Sequence, residues 1–311
     1  MPISGLEIRP GRLFCFGLGY SGLALARSLL AEGWAVGGTC RSEASRQILA
    51  ASGIHALLFD RTQPLLDPQS LLASADHVLS TVPPDEHGDP VLSEQRESLR
   101  SLRHVRWVGY LSTTGVYGDR GGGWVDETSE CRPTEARSKR RLEAENEWLA
   151  LGRDGGFPVH VFRLAGIYGP GRNALETVRS GRAHRIQKPG QVFSRIHVDD
   201  IVHVLKASMA RPRPGAVYNV CDDCPAPPED VIAFACSLLG VEPPPLVPFE
   251  KARLSEMARS FYSDNKRVRN DLIKRELGVA LSVPDYKVGL RRLLAAERPR
   301  EPSDSGTQSR V

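Results

Sequence analysis

No long apolar run occurs in the chain. The longest apolar-rich stretch, Leu13 to Val36, is broken by Arg27 and Glu32 and opened by glycines, which excludes a membrane-spanning helix there. Charge of one sign is also scarce. The 41 Lys and Arg nearly balance the 37 Asp and Glu, for a formal net charge of +4. That excess is too small for a nucleic-acid footprint, though it suits a mild pull on phosphate-bearing ligands. Cysteine is sparse, six in all. Cys221 and Cys224 form one C-x-x-C with no second pair to complete a zinc site. The pair follows an expected strand and does not open a helix, so it is expected to be inert. Met1 to Pro10 lacks a basic cluster followed by an apolar core. No export signal is therefore expected, and a cytoplasmic location follows by default. What remains is a chain of 311 residues, long enough for one large domain with a smaller annex.

Within it, short apolar runs alternate with helical patterns. Strands are expected at Leu13–Phe16, Trp34–Thr39, His55–Phe59, His77–Val82, Arg106–Ser112, Val159–Leu164 and Ala216–Val220. Helices are expected at Leu23–Ala31, Ser93–Leu102, Glu135–Leu151, Asp200–Met209, Val231–Leu239 and Lys266–Leu277. This alternation predicts an α/β fold with a parallel sheet covered on both faces. From Glu297 the chain is polar and aperiodic, and 297–311 is expected to be a disordered tail.

Gly17-Leu18-Gly19-Tyr20-Ser21-Gly22 is a G-x-G-x-x-G between the first expected strand and helix. The first glycine allows a tight turn, the second lets a pyrophosphate approach the backbone, and the third lets helix and strand pack closely. The helix N-terminus then offers free N–H groups to phosphates. A dinucleotide cofactor is thus expected on Gly17, Gly19, Tyr20, Ser21 and Gly22. The end of the second strand bears on which one. NAD binders usually place an acid there to hold the ribose 2′-hydroxyl. This chain reads Thr39-Cys40-Arg41-Ser42. Arg41 and Ser42 suit the 2′-phosphate of NADP, with NAD as the alternative if Arg41 is only a solvated loop residue. Asp60, ending the third strand, joins the expected cofactor set.

Further landmarks are L-S-T-T-G-V-Y-G from Leu111, R-L-A-G-I-Y-G-P-G from Arg163, I-H-V-D-D from Ile196 and V-Y-N-V from Val217. With the glycine loop, they make the chain resemble the extended short-chain dehydrogenases/reductases of the NAD(P)-dependent epimerase/dehydratase type, as far as about Ala295. The resemblance implies a doubly wound Rossmann parallel sheet with a smaller C-terminal substrate lobe. It places the cofactor domain in 1–170 plus 196–220 and the substrate lobe in 171–195 plus 221–296. It also implies a small-molecule substrate bound between them, and a homodimer through the helices at 93–102 and 135–151.

Such proteins use a Ser or Thr after the fifth strand, then a Tyr-x-x-x-Lys on the next helix. Thr113 matches the first position, and Lys139 matches the lysine that holds the nicotinamide ribose. Glu135 stands where the tyrosine belongs. An ionised glutamate cannot donate the proton, and Lys139 is expected to pair with it at i and i+4. Tyr117, close to Thr113 in sequence, is the expected substitute donor, and Tyr168 is another tyrosine in a Y-G turn. Gly166 and Phe193 replace an Asn and an Arg common in sugar-nucleotide members. Arg172, Arg195 and Lys188 are the remaining cations for a substrate phosphate, Arg172 and Arg195 first. Asp199 is expected to cap a helix, with no metal at His197, Asp199 and Asp200. Two functions stay open: an NADP-dependent oxidoreductase or epimerase acting on a sugar-like or phosphorylated hydroxyl or carbonyl compound, and a non-catalytic NADP-binding sensor or partner-binding protein.

Overall fold

A computed structural model describes residues 9–102 and 104–297. The tail at 297–311, except Glu297, and most of the Met1–Pro10 segment lie outside the described residues. The first half of the chain runs β1 (Arg12–Phe16), α1 (Tyr20–Ala31), β2 (Ala35–Cys40), α2 (Glu43–Ala51), β3 (His55–Leu58), α3 (Pro68–Ala73), β4 (His77–Ser80), α4 (Pro90–Arg100), β5 (Trp107–Thr113), β6 (Trp124–Val125) and α5 (Ala136–Gly155). The middle holds β7 (Val159–Leu164), β8 (Gly166–Tyr168), α6 (Ala174–Arg179), β9 (Arg185–Gln187), β10 (Arg195–His197), α7 (Val198–Ala210) and β11 (Val217–Val220). The last part holds α8 (Pro228–Leu239), β12 (Leu246–Pro248), α9 (Glu256–Phe261), β13 (Arg267–Val268), α10 (Asp271–Leu277) and α11 (Tyr286–Glu297).

Alternation along the central strands explains why helices cover both sides. In β1, Leu13 and Cys15 enter one core, while Phe14 and Phe16 enter the other. In β5, Trp107 and Leu111 face the first core, and Val108 and Tyr110 the second. Neither face meets water, so both must be covered. The result is a seven-stranded sheet in the order β3-β2-β1-β4-β5-β7-β11, with every neighbouring pair parallel. Strand order reverses beside β1, where a doubly wound sheet opens a crevice at its carboxyl edge. This is the expected Rossmann α/β class.

A third apolar cluster joins Tyr168, Leu175, Val231, Val283, Tyr286 and Leu290 beyond the sheet. Asp200, on α7, ties it to that helix. This buried carboxylate accepts bonds from the Ser282 N–H at 2.7 Å and the Val283 N–H at 2.9 Å. The expected helix at Lys266–Leu277 is shorter. Arg267 and Val268 pair with β6 as a strand, and the helix begins at Asp271. Asp199 is not the cap of α7. His197 holds that position, its Nδ1 accepting the Asp199 N–H at 3.2 Å. The outward residues of α4 and α5 include Glu94, Glu97, Arg100, Lys139, Glu143 and Arg153, a charged surface where the resemblance places a dimer contact. Among the described residues, no helix is long and apolar enough to cross a membrane.

Candidate active site

The glycine loop follows β1 directly. Gly17 has φ +84°, a left-handed conformation that a side chain would strain. Thr39, near the end of β2, and Thr81, which no sequence motif had singled out, hold it in place. Its N–H donates to Thr39 Oγ1 at 2.9 Å, and its carbonyl accepts the Thr81 hydroxyl. Gly19 is the N-cap of α1, is exposed, and has no side-chain cap; a Cβ there would meet nothing within 4 Å. Gly22 is the opposite case. A Cβ there would lie 2.8 Å from the Gly17 carbonyl oxygen and 3.0 Å from Cys15 Sγ. Ser21 is buried in α1. Tyr20 reaches out of the loop, donating to the Pro170 carbonyl at 3.0 Å, with the Arg172 guanidinium 5.7 Å from its ring centre.

Arg41 is exposed just past the end of β2. Ser42 is engaged locally, capping α2 by accepting the Ser45 N–H at 3.2 Å. Asp60 is also held by its neighbours. Its Oδ1 accepts the Thr62 hydroxyl at 2.7 Å, the Thr62 N–H at 2.7 Å and the Gln63 N–H at 3.0 Å. The Thr62 bonds, helped by the Arg41 charge, hold its carboxyl below the ordinary range.

A cavity of about 790 Å³ opens past the ends of β5 and β7, closed on its far side by the segment from Leu254 to Val268. Thr113 and Glu135 both line it. The Thr113 hydroxyl oxygen accepts the Gly115 N–H at 3.1 Å. Glu135 stands at the N-cap of α5, ahead of the helix, and accepts the Ser263 hydroxyl at 3.1 Å. The expected Glu135–Lys139 ion pair is absent among the described residues. Lys139 is exposed and does not line the cavity.

Arg137 and Arg141 line it instead. Each helical residue turns about 100°, so Lys139 projects roughly opposite to Arg137, while Arg141 and Glu145 share the Arg137 face. Arg137 lies 4.1 Å over the Phe261 ring. Arg141 donates to the Leu111 carbonyl, with its guanidinium 5.8 Å from the Tyr110 ring centre. The sequence signal for this face was the spacing Arg137-x-x-x-Arg141-x-x-x-Glu145.

Tyr117 is not at the cavity. It is fully buried, donating to Asn219 Oδ1 at 2.7 Å and accepting from Arg163 Nη1 at 2.9 Å. Burial pushes its hydroxyl up to about 12. It is a structural tyrosine, not the expected substitute donor. The three expected phosphate cations do not converge. Arg195 lines the cavity but donates to the Phe193 and Ala226 carbonyls at 2.8 and 3.1 Å. Arg172 is exposed beside Tyr20, and Lys188 donates to the Tyr262 carbonyl. Cys221 is buried, donates to the Val268 carbonyl, and has its thiol pushed well up by that burial.

Residues 96–221 match the model of the NAD dependent epimerase/dehydratase family. Protein YeeZ of Escherichia coli (strain K12) is 32% identical over 245 residues, covering 73% of this chain and 84% of its own. The chain belongs to the NAD-dependent epimerase/dehydratase family. A functionally unknown conserved protein from Silicibacter pomeroyi is 53% identical, with a TM-score of 0.86 over 92% of this chain and 99% of that one. The dTDP-glucose 4,6-dehydratase of Bacillus anthracis, solved in complex with NAD, shares the fold at 17% identity. Its TM-score is 0.73 over 92% of this chain and 96% of that one. The glycine loop lies ahead of the residues that the family model matches. Its open Gly19 and tight Gly22 are the geometry that a dinucleotide pyrophosphate requires.

Proposed function

We propose that the protein is an NADP-dependent oxidoreductase or epimerase, acting on a hydroxyl or carbonyl group of a small molecule in the cavity beside α5. The glycine loop carries this reading. Gly19 leaves open space over an uncapped helix N-terminus, and Gly22 leaves room for hydrogen alone. Gly17, Gly19, Tyr20, Ser21 and Gly22 would hold the pyrophosphate. Arg41, at a strand end without an acid, would hold the 2′-phosphate, supported by Ser42. When bound, the nicotinamide supplies or accepts a hydride.

The protein's own groups do the rest. Because the Thr113 oxygen accepts the Gly115 N–H, its hydroxyl proton is free to be donated to a substrate oxygen. Glu135 is the carboxylate on the same wall. As a carboxylate, it accepts the proton of a substrate hydroxyl during oxidation. The apolar residues Leu164, Ile167, Val192 and Phe193 keep water from the reacting carbon.

A second reading, a dinucleotide-binding protein without turnover, is favoured by one observation. Tyr117, the expected substitute donor, is locked in the core. Calorimetry with NADP and NAD, followed by hydride exchange on a panel of carbonyl compounds, separates the readings. Wild type should bind NADP, and Gly19→Val should abolish binding while melting normally. Gly22→Val should fail to fold, because its side chain meets backbone. Absence of dinucleotide binding by wild type would overturn both readings. Tight binding without exchange on any carbonyl would leave the second.

A further inference from the structure

The cavity beside α5 has an unbalanced charge. Four cationic side chains line it, Arg137, Arg141, Arg195 and Lys266, against two carboxylates, Glu135 and Asp264. Lys266 and Asp264 cancel each other at 3.1 Å. Arg195 is occupied by two carbonyls. Arg137 and Arg141 remain, one turn apart on one helix face. Among the described residues neither has a carboxylate within 4 Å: Arg137 lies over Phe261, and Arg141 meets the Leu111 carbonyl and Tyr110. Both guanidiniums are half-buried beside an apolar-walled cavity, and their contacts with a ring, a carbonyl and a hydroxyl leave their charge unneutralised by a carboxylate in contact.

We propose that Arg137 and Arg141 bind an oxyanion, carboxylate or phosphate, carried by the substrate of this cavity. The inference rests on reading the cavity as the substrate site. A guanidinium stays protonated throughout the physiological range, so Arg137 does not replace a proton-donating tyrosine. It offers instead a planar fork of N–H donors that matches two oxygens of a carboxylate or phosphate. Phe261, stacked on that plane, fixes the orientation of the fork and lowers its freedom before binding. Lys139, on the other side of α5, has no part in it.

The probes are sodium malonate, inorganic phosphate and uncharged dimethyl malonate, titrated calorimetrically with and without saturating NADP. Saturating NADP fills the glycine loop, so phosphate bound there is not counted. Wild type should bind at least one of the two anions at millimolar concentration and should not bind the ester. Arg137→Gln should weaken that anion by about tenfold or more, the value of one charge-assisted bond. Arg137→Lys should fall between. Arg153→Gln, which removes the same charge at the far end of α5, should bind like wild type. The preferred anion names the substrate's charged group. Wild type binding neither anion, or Arg137→Gln and Arg153→Gln behaving alike, would overturn the proposal. NADP binding by the same samples tests the cofactor reading separately, so the two failures are distinguishable. It also shows that Arg137→Gln is folded.

Discussion

Glu145 and Arg163 meet in the interior, with the guanidinium Nη2 2.8 Å from the carboxylate Oε2 and Nε bonded to both carboxylate oxygens. The Ser112 hydroxyl donates to the same carboxylate, and Arg163 Nη1 extends the chain to Tyr117 and on to Asn219. A buried ion pair survives only with such supporting bonds. It therefore fixes where Tyr117 points. Tyr117→Phe should leave Arg163 and Asn219 short of a partner and lower stability by about 1–3 kcal/mol. Urea unfolding measures it, and NADP affinity should not change. An unaltered midpoint with lost hydride exchange would return Tyr117 to the active site.

Asp222 gives a pH dependence. It is 1% exposed; Oδ1 accepts the Cys224 N–H at 3.1 Å, and Oδ2 has no partner among the described residues. Burial pushes its carboxyl from 3.8 up to about 8, against the pull of Arg195 and with the push of Asp223 and Asp285. Between those values the unfolded chain has lost this proton while the folded protein keeps it. The unfolded state then binds fewer protons, so stability falls as pH rises through the window and levels above about 8. Asp222→Asn removes the effect, which is on the order of a few kcal/mol. Its melting temperature should exceed wild type far more at the alkaline end of the window than at the acid end. Equal differences at both ends would show that Asp222 ionises freely in the fold.

Under the proposed function, cofactor choice rests on Arg41. It is exposed, and its charge reaches Asp60 across the ends of β2 and β3. Arg41→Asp should weaken NADP by roughly ten- to hundredfold, the value of one charged hydrogen bond of about 1.5–3 kcal/mol, and leave NAD nearly unchanged. Calorimetry with both dinucleotides checks this. Equal wild-type affinities would make Arg41 a bystander.

The sheet was legible in the sequence because its strands are buried on both faces and read as short apolar runs such as Leu13–Phe16 and Val159–Leu164. The loop at Gly17–Gly22 was legible because a dinucleotide allows few alternatives to its glycines. Side-chain direction was not. Tyr117 follows Thr113 by four residues, but the intervening 3-10 turn aims it into the core. Nor did the sequence show that Asp60 and Ser42, both expected at the cofactor, also bond neighbouring backbone. Phe261 and Ser263, which touch Arg137 and Glu135, lie more than 120 residues along the chain. No local pattern announces such contacts.

The dipeptide Ser138-Lys139 shows how far a small slip carries. Its lysine matches that of the family's Tyr-x-x-x-Lys, which places Lys139 at the ribose, yet the cavity is lined two residues away on either side by Arg137 and Arg141. At about 100° per residue, two positions rotate a side chain by roughly 200°. Burial decides between them: Arg137 and Arg141 are half-buried, and Lys139 is exposed. Lys139→Ala should therefore leave NADP affinity and hydride exchange at wild-type levels. Arg141→Gln should weaken substrate binding and disturb β5, whose Leu111 carbonyl it holds. Thr113→Ala should remove most turnover with little effect on NADP binding, since the hydroxyl serves the substrate oxygen. Glu135→Gln should do the same in proportion to its use as the base. Its loss of kcat/KM should be the same in both directions at one pH, because a catalyst cannot shift the equilibrium. Steady-state kinetics in both directions on the four variants test the set. If Lys139→Ala alone abolishes exchange, the lysine reaches the cofactor, and Arg137 and Arg141 do not mark the working face of α5.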